Sequence, residues 1–233
     1  MTPSTLSPTA AAAEKTMQTH HRLMDHYGAP SLKERRDPLS ELIVTILSQN
    51  TADVNTDRSF ATLRRRLPTW ELVRDAPLEE VVDAIARGGL GRTKAPRIQA
   101  ILSALSERTG SPSLDALADM EDHAALAYLQ SLPGVGPKTA SCVLLFALGR
   151  PVVPVDTHVH RVARRVGFIG RDVSAERAHQ QLTALVAPDP HDAYAVHIGL
   201  VRHGRRVCRA RRPLCEQCVL AAFCASAGKP ELW

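Results

Sequence analysis

Two residues at helix starts and one group of cysteines carry the chemistry that can be read from this chain. Lys138 follows directly on the Gly/Pro-rich turn Leu132-Pro133-Gly134-Val135-Gly136-Pro137, where a new helical pattern begins. Pro137 suits the first helical position, because its missing N–H costs nothing there. The glycines Gly134 and Gly136 can take positive φ, and their amides together with the helix N-terminus make a site for an anion such as a phosphate. The helix dipole disfavours a cation at that end, which favours the free amine that attacks carbon. The plain alternatives are a helix–helix turn with no ligand and a lysine that only touches phosphate. Asp156 comes 18 positions after Lys138, in Val155-Asp156-Thr157-His158-Val159-His160-Arg161. It reads equally as the N-cap of an amphipathic helix and as a carboxylate that stabilises a cationic sugar or moves a proton.

Cys208, Cys215, Cys218 and Cys224 follow the spacing C-x6-C-x2-C-x5-C. Four thiolates so close in sequence can surround one metal centre, and the spacing leaves zinc and iron–sulfur both open. Arg209, Arg211 and Arg212 sit in the loop between the first two cysteines, either to offset thiolate charge or to contact phosphates. The fifth cysteine, Cys142, lies in an apolar helical pattern and reads as a small core residue. Clustered free thiols suit a reducing cytosol.

The elements that must position these groups are helical. Leu39, Leu42, Ile43, Ile46 and Leu47 form one apolar stripe, and similar stripes run through Ile98, Ile101, Leu102, Leu105 and through Val159, Val162, Ala163, Val166. Gly88-Gly89, Gly110, Gly149 and the prolines around Asp189 punctuate them. The extended segment Pro151–Val155 carries two prolines and reads as a connector, so an all-α fold of about ten short helices is expected. With 233 residues, 44% apolar and 23% charged, the chain is neither disordered, collagen-like nor a disulfide-dense mini-protein. A net charge of +5 biases it mildly toward polyanions, while 4% aromatic residues argue against a binder built from stacking platforms. No apolar run reaches spanning length. Residues 1–14 contain no arginine or lysine and read as a disordered tail, not a secretory signal.

Taken together, these pieces resemble the endonuclease III family of DNA glycosylases, the helix-hairpin-helix type with a Gly/Pro-rich loop and an aspartate. The resemblance runs from about Leu39 to Cys224, anchored by Leu47-Ser48-Gln49-Asn50-Thr51, Leu90 after Gly88-Gly89, the LPGVGPKTA hairpin, the VDTHVHR segment and the cysteine spacing. It implies a six-helix barrel with the hairpin over residues 38–150. A second helical domain, residues 15–37 with 151–233, would hold a [4Fe–4S] cluster on the four cysteines, with a DNA cleft between the two.

The resemblance further implies that Lys138 attacks C1′ of a damaged nucleoside and that β-elimination then nicks the strand, with Asp156 assisting. Gly134, Val135, Gly136, Thr139, His158, Arg209, Arg211 and Arg212 would contact DNA. Leu90 would wedge into the stack, although it also reads as a leucine packed beneath a glycine cap. Asn50 stands where the family usually has a glutamine that fills the space of the extruded base, and neighbouring Gln49 can take that role. Pro137 replaces a frequent basic residue. The expected partner is double-stranded DNA with an oxidised base or abasic site, bound by a monomer with no membrane partner, in the cytoplasm on nucleoid DNA. Two alternatives are an abasic-site lyase or mismatch glycosylase, and a non-catalytic DNA-binding module with a structural cluster. Lys138 and Asp156 argue against the last.

Overall fold

A computed structural model describes residues 10–30, 35–186 and 189–232. Among the described residues the fold is all-α, with eleven α-helices, five short 3-10 segments and no strand. The chain divides into two compact units: Arg35–Leu148, and Met1–Glu34 together with Gly149–Trp233.

The first unit contains α2 (Pro38–Ser48), α3 (Asp53–Arg66), α4 (Trp70–Asp75), α5 (Leu78–Ala84), α6 (Gly91–Thr109), α7 (Asp122–Gln130) and α8 (Pro137–Phe146). Helix α2 starts where the Asp37 carboxylate accepts the Ser40 amide at 2.8 Å, with Pro38 in the first turn. The sequence showed one apolar stripe on α2, but every residue from Leu39 to Leu47 is buried. The cause is tertiary, since α3, α6 and α8 all pack on this helix and leave it no solvent side. Leu42, Ile43, Ile46 and Leu47 are fully enclosed, each contributing about 1.5–3 kcal/mol of burial. Enclosure also buries two polar neighbours, Glu41 and Thr45, which hydrogen-bond each other. Helix α6 sends Ile98, Ile101, Leu102 and Leu105 into the same core and ends at Gly110, whose φ of +82° is the left-handed stop that glycine allows.

The second unit contains α1 (Ala10–Tyr27), α9 (Thr157–Val166), α10 (Ala175–Leu185) and α11 (Pro190–Arg206), with α11 packed on both α9 and α1. Gly204 on α11 is required by close approach, because a Cβ there would stand 2.8 Å from the His158 Cβ on α9. The Pro151–Val155 connector is buried over its last four residues, and its backbone is satisfied by side chains. The Val153 amide donates to Thr183 Oγ1 at 2.9 Å, the Val155 amide to His179 Nε2 at 3.0 Å, and His197 Nδ1 donates to the Pro154 carbonyl at 2.8 Å. His179 donates from Nδ1 to the Ala175 carbonyl, so its Nε2 stays unprotonated, and burial holds its pKa below the usual histidine value. These three bonds fix the chain immediately ahead of Asp156.

Of the tail expected over residues 1–14, residues 1–9 lie outside the described residues, and Ala10–Glu14 belong to helix α1. The run of alanines, the strongest helix formers, explains the difference. Among the described residues no helix is long and apolar enough to cross a membrane.

Candidate active site

The hairpin joins α7 to α8. Gly134 has φ +68°, a backbone that favours glycine, and a Cβ there would stand 2.7 Å from Arg97 Nε and push that side chain aside. Gly136 does not use that freedom: its φ is −96°, open to any residue, and a Cβ there would meet nothing within 4 Å. The fold accounts for Gly134 and not for Gly136, which leaves a stretch of bare backbone at the head of α8. Val135 has its side chain buried and its amide donating to the Leu132 carbonyl. Thr139 is also buried, with its hydroxyl accepting from Gln49 Nε2 at 3.5 Å, so only its backbone remains for DNA.

Pro137 and Lys138 occupy the first two positions of α8, and the Lys138 side chain is half-buried. Beneath this end of α8, on α2, lies Glu41. Burial pushes the Glu41 carboxyl above its ordinary range, while Arg36, Thr45 and the charge of Lys138 pull it back. A buried carboxylate thus feels the candidate nucleophile, a relation invisible in the sequence.

Two loop tips of the same unit share an unusual backbone. Asn50 and Leu90 are the non-glycine residues with positive φ among the described residues, both at 54°. Asparagine tolerates that region, whereas for leucine it costs on the order of 1–3 kcal/mol. Leu90 is also 55% exposed, which removes the reading of a leucine packed under a glycine cap. Asn50 is exposed as well, but Gln49 is not free to fill a vacated base position. Its Oε1 accepts from Arg97 at 3.0 Å and its Nε2 donates to Thr139. Gln49 is therefore a support and Asn50 the tip. Arg97, which the sequence reading missed, braces both Gln49 and the Gly134 turn.

In the other unit, Asp156 does cap α9: its Oδ1 accepts the amides of His158 at 2.8 Å and Val159 at 2.7 Å. Both bonds fall on one oxygen, so Oδ2 is not consumed by the cap. His158 packs beneath Gly204 and its Nδ1 faces Arg161 at 3.0 Å, which makes it a structural residue on that side of the ring.

The four cysteines line one pocket together with Arg165, His203, Val207 and Leu214. The four thiols face one common space, as the ligands of a single cluster must. Burial raises Cys218 to about 11, with the other thiols adding to the effect, and the same causes raise Cys224. Arg165 is 3% exposed and donates to Cys208 Sγ at 3.5 Å, while its Nε is buried without a partner, a setting that suits an anionic group. The donor set and the orphaned guanidinium nitrogen thus fit an iron–sulfur cluster on Cys208, Cys215, Cys218 and Cys224. When bound, such a cluster is mainly a structural pin for the loop.

Arg165 also donates to the carbonyls of Arg209 at 2.7 Å and Ala210 at 2.8 Å, and Arg161 donates to the Cys208 carbonyl at 2.9 Å. These two α9 arginines, one turn apart, hold the cysteine loop so that Arg209, Arg211 and Arg212 stay exposed. Cys142 is buried in α8, apart from the cavity.

A helix-hairpin-helix unit with a lysine at the head of its second helix, and a four-cysteine loop beyond it, defines a class of base excision repair proteins. Residues 43–188 match the HhH-GPD superfamily of base excision DNA repair proteins, and residues 208–224 match the iron-sulfur binding domain of endonuclease III. Endonuclease III of Thermotoga maritima is 35% identical over 196 residues, 84% of this chain and 86% of that protein. Endonuclease III of Escherichia coli (strain K12) is 34% identical over 188 residues, covering 80% and 83%. The chain belongs to the endonuclease III family, and it carries that family's [4Fe–4S] site. Among solved structures, a trapped covalent intermediate of endonuclease III with DNA superposes with a TM-score of 0.76 at 28% identity, covering 94% of this chain and 98% of that one. A thermostable thymine-DNA glycosylase shares the fold, with a TM-score of 0.75 at 21% identity over 94% and 99% of the two chains.

Proposed function

We propose that this protein is a bifunctional DNA glycosylase and abasic-site lyase that removes oxidised pyrimidines from double-stranded DNA. The Lys138 Nζ lone pair forms a bond to C1′ as the glycosidic bond breaks and the base departs with that bond's electrons. The C1′–O4′ bond then opens, O4′ leaving with the electron pair and taking a proton from the lysine nitrogen, and the protonated imine that remains makes the C2′ proton acidic. Its loss drives cleavage of the C3′–O bond and nicks the strand 3′ to the lesion. Asp156 assists departure of the base and the proton transfers through the oxygen its cap leaves unused. The reaction requires the nucleotide out of the stack, because C1′ is shielded in a duplex. The observation that carries the reading is Lys138 at the second position of α8, directly behind the bare backbone of Gly136. The exposed Arg209, Arg211 and Arg212 contact phosphates on either side. The protein acts as a monomer, and its reduced thiols suit the cytoplasm, where it works on chromosomal DNA.

Borohydride reduction tests this directly. With duplex containing thymine glycol, the protein should excise the base, nick the strand and be trapped covalently. Trapping on abasic DNA alone, with no excision across a panel of thymine glycol, dihydrouracil, uracil and 8-oxoguanine, would leave a lyase. No trapping on either would leave a DNA-binding module.

Leu90 is the wedge and Asn50 the shorter gap-filling tip. Leu90→Ala should lower excision from duplex about 10- to 100-fold, the size of effect seen when a reacting geometry is no longer held. Cleavage at a pre-formed abasic site should fall far less, since no base pair has to be opened there. Equal losses on the two substrates would assign Leu90 to packing.

A further inference from the structure

Lys94 lies on α6, one turn beyond Leu90, and is only 4% exposed. A buried lysine is rare unless its donors are satisfied, and here each finds an acceptor. Nζ donates to the Leu47 carbonyl at 2.7 Å, to Thr51 Oγ1 at 2.8 Å and to the Gly88 carbonyl at 3.1 Å. An ammonium has three N–H donors, and all three are used. The acceptors come from separate places in the chain. Leu47 is in the last turn of α2, Thr51 closes the loop that carries Asn50, and Gly88 opens the loop that carries Leu90. Thr51 Oγ1 also bonds the Gly88 carbonyl, so the two loops touch through the same polar knot. Carbonyls at helix ends bear partial negative charge, which favours a cation among them.

We propose that Lys94 is a positioning residue that locks the Asn50 and Leu90 loops into one rigid pair, so that both tips are set before DNA is bound. The inference rests on the reading of those two tips as the groups that occupy the space of the extruded nucleotide. Both tips carry left-handed backbones that an unconstrained loop would relax. Without the knot each loop would have to be ordered during binding, at the cost of part of the binding free energy. With it, the ordering is complete in the free protein. Burial moves the Lys94 amine below its usual pKa, as desolvation of an ammonium does.

The test uses Lys94→Met in the full-length, cluster-loaded protein, with Thr51→Val as a milder second variant should the first fail to fold. Hydrogen exchange at the amides of residues 49–51 and 88–90 should speed up in either variant, while exchange in α8 stays as in the parent. Excision of thymine glycol from duplex should fall about 10- to 100-fold, as for any loss of a held geometry, and cleavage at a pre-formed abasic site far less. A purely structural lysine would lower both activities together and loosen α8 as well, and that result overturns the proposal. Unchanged exchange at both loops also overturns it, whatever happens to activity. Faster exchange with an unchanged ratio of the two activities has two separable meanings. If Leu90→Ala still lowers the ratio, the tips matter but Lys94 does not position them. If Leu90→Ala leaves it unchanged too, the reading of the tips themselves is wrong and the proposal falls with it.

Discussion

Lys138→Ala abolishes covalent trapping on both thymine glycol and abasic DNA, and lowers strand nicking by at least about 10³-fold, as removal of an attacking group does. The prediction is clean because little else depends on this side chain. Lys138 is half-buried at the second position of α8, and the core face of that helix, Ala140, Val143 and Leu144, is untouched by the change. Alanine is the best helix former, and removing a cation from a helix N-terminus does not destabilise it. The variant should therefore melt with the parent and bind DNA within a few-fold of it. The one packing relation that changes is electrostatic: the buried Glu41 carboxyl loses a nearby positive charge and is left with Arg36 and Thr45. Melting and DNA-binding measurements made alongside the trapping assay separate loss of chemistry from loss of structure. Trapping equal to the parent would remove Lys138 from the reaction and transfer the search to another amine.

Asp156→Asn leaves the fold and DNA binding in place and lowers turnover by about 10²–10⁴-fold, the range for loss of an acid–base group. The reason lies in the cap. One oxygen of Asp156 accepts two amides, from His158 and Val159, and an asparagine Oδ1 accepts the same two bonds. What asparagine lacks is the charge and basicity of the other oxygen. Melting should be near that of the parent, and DNA affinity equal or higher, because a negative charge beside a polyanion is gone. Single-turnover excision and abasic-site cleavage should both slow. A variant with unchanged rates would reduce Asp156 to a helix cap, the reading the sequence left open beside the catalytic one.

Several features of the site were legible because they are local. Pro137 and Lys138 follow a two-glycine turn, and helix starts with proline at the first position have few alternatives. The stripe that includes Ile98, Ile101 and Leu105 placed α6 in the core. Lys94 sits on that same stripe, four residues before Ile98, a core-facing lysine that the sequence reading passed over. Nothing in the sequence named its acceptors, two of which are 43 and 47 residues away. Gln49 and Asn50 were indistinguishable as gap fillers until Arg97, 48 residues from Gln49, was seen to hold one of them. The surroundings of Val135 were equally hidden, since the hairpin uses its amide and its side chain internally.

The sequence by itself determined that the fold is helical, that a lysine and an aspartate stand at two helix starts 18 residues apart, and that four thiols lie close enough to share one centre. Periodicity, capping and short spacing are local physics, and they act the same way wherever the segment ends up. Tertiary structure alone decided that α2 is enclosed on every side, that Gly136 keeps an ordinary φ and an open flank, that Asn50 and not Gln49 is the free tip, and that Arg161 and Arg165 carry the cysteine loop. Each of these depends on a partner distant in sequence. Burial and hydrogen-bond satisfaction are properties of the packed chain, and no local pattern says which distant carbonyl or guanidinium completes them.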